Sequence, residues 1–272
     1  MPAFRLSYPI AKFLTISVKK GDVVMGDAVM KPADADTPAQ SFPERLLGVF
    51  ISPAETFADV ARKPGFIAPL IAIVIGSVAV IETMVWKIGL ERMMRMGMEQ
   101  SGQASRMSPE QMDQAVSQGA KITGIVLHIA GVLGPPIVLL VFAGLGILIV
   151  NVIFGAQAKF KTVFSLVCYA DLVSLLGSLM AVAMILFGDP DHFNSNNPIP
   201  SNVGFFLNQN DVSKPLYALA SSADIFSIWL LILLGVALSK GTGGKVKPLP
   251  IFLVYAGIWA LYVLGKVGLK MI

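Results

Sequence analysis

Residues 122–154 read ITGIVLHIAGVLGPPIVLLVFAGLGILIVNVIF, a run without formal charge apart from what His128 carries. Apolar stretches of about 18 residues or more are the mark of membrane spans. A straight helix through all of this run reaches about 50 Å, against a hydrocarbon core of ~30 Å. Two spans and a turn would need about 40 residues, so the run predicts one span with a break. Gly134-Pro135-Pro136 is the expected breaking point, because proline removes a backbone donor and clashes with the preceding turn. Pro135 to Phe154 then crosses the bilayer, and Ile122 to Leu133, with His128, lies in the outer interface.

Four more apolar runs surround this one: Phe66 to Trp86, about Val163 to Phe187, Ala223 to Leu238, and Leu249 to about Leu269. The chain is 55% hydrophobic and only 14% charged, where soluble domains carry about 25% charged residues. Its mean hydropathy is +0.72. The expected fold is an all-α polytopic membrane protein, a five-transmembrane-helix bundle with a short interfacial N-terminal helix. Residues 42–272 form the membrane domain and residues 1–41 a separate tail. The tail stretch 31–40 is polar, Pro-rich and aperiodic, the composition of a disordered segment. Met25 and Met30 precede it and offer later start positions. Leu6 to Val18 is interrupted by Pro9 and Lys12 and is not expected to be a cleaved signal peptide.

Between tail and first span, Ser52-Pro-Ala-Glu55 predicts a capping box: hydroxyl at the N-cap, proline at the first helical position, glutamate at the third. Phe57, Val60 and Ala61 follow at helical spacing, and Pro64 ends the helix. It is too short to span, and it either lies on the membrane surface or packs on the bundle. Ser108-Pro-Glu-Gln111 repeats the capping logic ahead of the second span. Residues 188–222 read as a polar loop.

Lysines and arginines near span ends set orientation. With the N-terminus in the cytoplasm, 13 of the 21 fall on the inner side, which predicts N-in, C-out. The bases are scattered rather than striped with aromatics, so nucleic acid is not an expected partner. Membrane lipids are, together with other membrane proteins or further copies of the chain. The single cysteine, Cys168, excludes an internal disulfide.

Three stretches resemble the YIP family, membrane proteins named for interacting with Ypt/Rab GTPases, and specifically its bacterial branch. They are Arg45-Leu-Leu-Gly-Val-Phe-Ile-Ser-Pro-Ala-Glu-Thr-Phe57 with Arg62-Lys-Pro-Gly-Phe-Ile-Ala-Pro69, then Phe154-Gly-Ala-Gln-Ala-Lys-Phe-Lys161 leading into Val167-Cys-Tyr-Ala170, and Ser222-Ala-Asp-Ile-Phe-Ser-Ile-Trp229. The resemblance covers about residues 42 to 269. It implies a five-helix domain with a cytosolic N-terminus, and it does not imply an enzymatic activity. A GTPase role belongs to the eukaryotic relatives and is not carried to a bacterial member.

The residues point to no catalytic constellation, no cofactor site and no phosphate loop. Asp189, Asp191 and His192, with Asn194, Asn196 and Asn197, offer oxygen ligands but lack the spacing of a calcium loop and read as a solvated turn. Ionisable residues inside spans say more, since each costs about 2.5–3.5 kcal/mol at a helix centre. Glu82, His128, Asp224 and Lys266 fall near the outer ends of their spans. They either converge into one polar cluster or reach headgroups separately. Asp171 lies about nine residues into the third span, roughly 13 Å deep. On a helix it shares a face with Ser174, Leu175 and Ser178. Ala170, Ser174 and Ser178, and likewise Ala256 and Ala260, repeat at the spacing that lets helices approach closely. Trp86 fits an interfacial belt. Trp229 and Trp259 lie deeper, as packing residues or as aromatic walls of a lipid-facing groove.

These features leave two functional classes. One is a non-enzymatic scaffold that binds other membrane proteins or organises lipid. The alternative is a small transporter or channel, for solute or lipid, that uses an intramembrane carboxylate. An intramembrane enzyme has no positive feature in its favour.

Overall fold

The computed structural model describes residues 38–100, 102–189, 194, 197–208 and 211–270. The residues expected to form the tail therefore lie, up to position 37, outside the described residues. All helices among the described residues belong to the unit Ala39–Ile272.

Two short helices open this unit, α1 (Phe42–Ile51) and α2 (Pro53–Arg62). The capping box sits one helix earlier than expected. Ser41 N–H and Oγ both donate to the Glu44 carboxylate, at 2.6 and 2.9 Å. Ser52 is indeed the N-cap of α2 with Pro53 at its first position, but its side chain makes no capping bond. The Ser52 carbonyl instead takes the Thr56 hydroxyl at 3.1 Å. α2 buries Phe57 and Val60 completely, packing on two later helices, Phe160–Ala170 and Ile225–Gly241. Packing on the bundle, one of the two placements open from sequence, is thus where its apolar face goes.

The long helices follow: α3 (Ile67–Lys87), α5 (Pro109–Ile147), the pair α6 (Phe160–Ala170) and α7 (Val173–Phe187), the pair α8 (Lys214–Ser222) and α9 (Ile225–Gly241), and α10 (Pro248–Gly268). A shorter helix, α4 (Leu90–Gln100), folds back along the start of α5. Met98, Met112 and Val116 form a small apolar seam between them. Four of these helices, or helix pairs, are long and apolar enough to cross a membrane. The count rises to five if α8 and α9, bent by 46° at Ala223–Asp224, make one span. The exposed surface is itself apolar, with Ile71, Val141, Leu253 and Leu264 each more than half exposed. A soluble monomer does not present such a belt to water; lipid is its natural solvent.

Three local expectations are corrected. The break at Gly134–Pro136 does not occur: α5 is helical throughout with Pro135 and Pro136 inside it, and continues into a wider π-type turn, Leu148–Ile153. Proline removes donors only at its own position, and neighbouring helices hold the helix together across it. Gly131 packs on Ile81 so closely that a Cβ there would fall 2.5 Å from the Ile81 side chain, and Gly124 likewise faces Leu90. Residues 124–131 therefore run beside the end of α3 and not away from the bundle. The third apolar run is also not one helix, since Asp171–Leu172 interrupt it. Lastly, the polar loop contains α8, started by Ser213 as N-cap with Pro215 in its first turn.

The core lies where α5, α6, α9 and α10 meet. Gly146 is the contact point: an added Cβ would stand 2.9 Å from Tyr255 Oη, 3.1 Å from Val163 and 3.2 Å from Leu238. The Tyr255 hydroxyl donates to the Phe142 carbonyl at 2.7 Å, giving a buried polar atom its partner. α3 and α7 approach at Gly76, against Leu175 and Ser178, so Ser178 serves close packing as its spacing suggested.

Candidate functional site

Asp171 closes α6. Its N–H still reaches the Val167 carbonyl at 2.9 Å, after which the ladder tightens to three-residue turns, Leu172 N–H to Tyr169 O and Ser174 N–H to Asp171 O. Ser174 Oγ donates to Asp171 Oδ2 at 3.1 Å, and Ser178 Oγ to the Ser174 carbonyl. The carboxylate therefore meets the serine three positions on, at the point where regular helix stops.

The other four ionisable positions form two separate groups and not one cluster. Glu82 of α3 and His128 of α5 make one pair, with Nε2 and Oε1 3.0 Å apart and both side chains about half exposed. His128 Nδ1 faces the Gly124 carbonyl at 2.6 Å. A carbonyl can only accept, so Nδ1 carries the proton there. Asp224 and Lys266 belong to the second group. Asp224 is the N-cap of α9, where its Oδ2 accepts from Ser227 N–H and Ser227 Oγ, both at 2.8 Å. Lys266, in the last turn of α10, donates to Ser222 Oγ of α8 at 3.3 Å.

Beside the second group opens a cavity of about 330 Å³, bounded in part by Asn202, Ser222, Asp224, Trp259, Tyr262 and Lys266. Its rim is preorganised. Asn197 and Asn202 exchange side-chain hydrogen bonds at 3.0 and 2.8 Å, and Phe205 N–H caps onto Asn202. The Ser201 carbonyl accepts from Ile225 N–H at 3.0 Å, latching this segment to the start of α9. Gly204 lets the segment lie against α8, since any Cβ would meet the Ser221 backbone at 2.8 Å. Trp259 is thus a cavity wall, whereas Trp229 packs edge-on against Phe50 at 5.8 Å. Trp86 is 76% exposed, as a belt residue would be.

A third polar assembly was not anticipated. Asp59 of α2 accepts from Arg45 Nε at 2.8 Å, from Arg62 at 2.6 Å and from Gln40 N–H at 3.1 Å. Arg45 also donates to the Lys63 carbonyl and lies 5.5 Å over the ring of buried Tyr169 on α6. Burial alone would raise the Asp59 carboxyl; the bonds from Arg62 and Arg45 outweigh it and hold the group below its ordinary value. Arg45 and Arg62 both appear in the first stretch that resembles the YIP family, but Asp59 carries no sequence signal of its own.

Among the described residues no group of three or more His, Cys, Asp or Glu side chains is placed to hold a metal ion. Asp191, His192 and Asn196 of the oxygen-rich turn lie outside the described residues. In comparisons with known proteins, the family model described as the Yip1 domain matches residues 47–267. No curated protein and no solved structure matches the chain.

Proposed function

Because the chain belongs to the Yip1-domain family, we propose that it is a non-enzymatic membrane scaffold of the bacterial branch, holding other membrane proteins or organising lipid around its helices. As a member it is a multi-pass membrane protein and not an enzyme. The observation that carries the scaffold reading is the extent of the match. Residues 47–267 run from α1 to the last turn of α10, so the family likeness belongs to the whole bundle and not to one loop or pair of helices.

In this reading residues 42–272 form a membrane domain of five spans, with α8 and α9 together as the fourth, and residues 1–41 a separate tail. The domain sits in the bacterial cytoplasmic membrane, N-terminus inside and C-terminus outside, as the weight of lysines and arginines favours.

The test is purification of the full chain from native membranes into nanodiscs, followed by identification of proteins and lipids retained at fixed stoichiometry. A defined membrane-protein partner or lipid supports the scaffold. Solute flux in proteoliposomes that Asp171→Asn abolishes would replace it with a transporter.

A further inference from the structure

We propose that the cavity between α8, α9 and α10 binds the headgroup of a phospholipid bearing a primary amine, with the phosphate on Lys266 and the ammonium on Asp224. This rests on the reading of the chain as a membrane scaffold and names the lipid that one of its surfaces takes.

The argument begins with charge. A cation from α10 and an anion at the head of α9 line the same cavity. They are not paired with each other: Lys266 donates to the neutral Ser222 hydroxyl, and among the described residues it has no carboxylate within ion-pair distance. Asp224 uses Oδ2 for the α9 cap, while Oδ1 is shielded from solvent and has no hydrogen-bond partner. An unmet carboxylate oxygen within a few side chains of an uncommitted ammonium is a poor arrangement by itself. It becomes a good one when a ligand brings the opposite charge to each. A phosphate diester linked to an ammonium by two carbons carries those charges, in that order, on one short group.

The second argument concerns the rest of the lipid. A groove of about 380 Å³ adjoins the cavity and shares Ser201 and Asn202 with it. Its remaining walls are mostly apolar and largely uncovered, with Val203, Phe206 and Ile225 each at least 60% exposed. On the other side Tyr262 and Leu261 of α10 are similarly open. Acyl chains have apolar surface to follow from the polar cavity in either direction, which a free phosphoamine would leave bare. A primary amine is specified over a quaternary one because Asp224 Oδ1 is an acceptor in need of an N–H donor. A choline group would leave it unmet.

Native mass spectrometry of the full-length protein, released from detergent with added phosphatidylethanolamine, phosphatidylcholine or phosphatidylglycerol of identical chains, tests this. The wild type should retain phosphatidylethanolamine about tenfold more tightly than either competitor. Lys266→Met keeps the stem and should weaken all three. Asp224→Asn keeps an N-cap acceptor for α9 and should erase the preference for the amine while leaving phosphatidylglycerol unchanged. Circular dichroism and melting of each variant establish that it folds. Equal retention of the three lipids by the wild type would overturn the proposal, as would a preference that survives both substitutions. If glycerophosphoethanolamine, which has no chains, competes as well as the lipid at equal concentration, the ligand is a soluble phosphoamine and the lipid assignment fails. Protein partners identified from the same preparations are scored separately. A partner retained by Lys266→Met with the lipid lost keeps the scaffold reading independent of this site.

Discussion

Arg45 and Asp59 stand 2.7 Å apart in a buried seam, each side chain 7% exposed, and join α1 to α2 across the break at Ser52. Removing one partner of such a pair leaves the other charge buried, at a cost of about 3–5 kcal/mol. Asp59→Ala should therefore release α1 and α2 from the bundle, raising amide exchange over residues 42–63 while α9 and α10 stay protected. Replacing both residues, Arg45→Met with Asp59→Leu, should restore much of the protection. The sign of the pH effect follows from the lowered Asp59 value. Its contribution is complete above the ordinary carboxylate range and is lost as pH falls through the folded value. Protection of α1 and α2 should be flat from about pH 7 to 5 and fall below about 4.

Gly146 and Tyr255 should be coupled. Tyr255→Phe removes one hydrogen bond, about 1 kcal/mol. Gly146→Ala forces a methyl against Tyr255 Oη, Val163 and Leu238 and should cost about 1–3 kcal/mol. The double variant should be less destabilised than the sum, because losing the hydroxyl vacates the closest of the three contacts. Additive melting shifts in detergent would contradict this.

The turn between α5 and α6 holds Gln157 at φ 60°, where a side chain is strained. Asn151 compensates by bonding the Ala158 N–H at 2.6 Å and carbonyl at 2.9 Å. Gln157→Gly should stabilise the chain by about 0.5–1 kcal/mol. Asn151→Ala should destabilise it by about 2 kcal/mol. Thermal unfolding of the two variants beside the wild type measures both.

Orientation can be read with an impermeant thiol reagent in a Cys168→Ser background. Ser213→Cys, at the exposed start of α8, should label from outside in intact cells. Lys245→Cys, exposed after α9, should label only after the membrane is opened. The reverse pattern turns the molecule over.

Asp171 separates structure from transport. As an acid that serves the helix break through Ser174, it should tolerate asparagine, which keeps the acceptor, within about 1 kcal/mol. Asp171→Leu should lower the melting temperature clearly. An Asn variant that folds normally but loses activity would favour proton-coupled transport.

The bundle was legible because its apolar runs approach bilayer length and have polar flanks, which composition reports directly. The interruptions were not. The apolar run continues on both sides of Asp171, and a lone carboxylate there marks an ion in a span but not a change of hydrogen-bond pattern. Gly134-Pro135-Pro136 has the opposite character: a strong local signal overridden by packing of Gly131 on Ile81. α8 did carry a signal, Ser213 before Pro215 with Leu216 and Leu219 three apart, hidden inside a stretch polar on average. Of the site residues, sequence found the charged members of the cavity because ions are costly in spans. It could not place them on one cavity. Asp224 and Lys266 are separated by most of two helices, and Arg45 finds Asp59 only once Ser52 has turned the chain.

The register of α5 against α3 has a consequence for the membrane itself. α3 ends at Lys87, and His128 of α5 lies level with Glu82, one turn before that end. Ile122, Ile125 and Val126 continue past it, all more than half exposed. On this flank the apolar surface is taller than on its neighbour by several ångströms. Lipid must thicken locally to wet it, or the helix must lean, at a cost of a fraction of a kcal/mol per Å. Such a one-sided hydrophobic mismatch makes thicker bilayer patches the cheaper surroundings. Two copies that bring these flanks together share one deformation instead of maintaining two, an attraction that needs no side chain to touch.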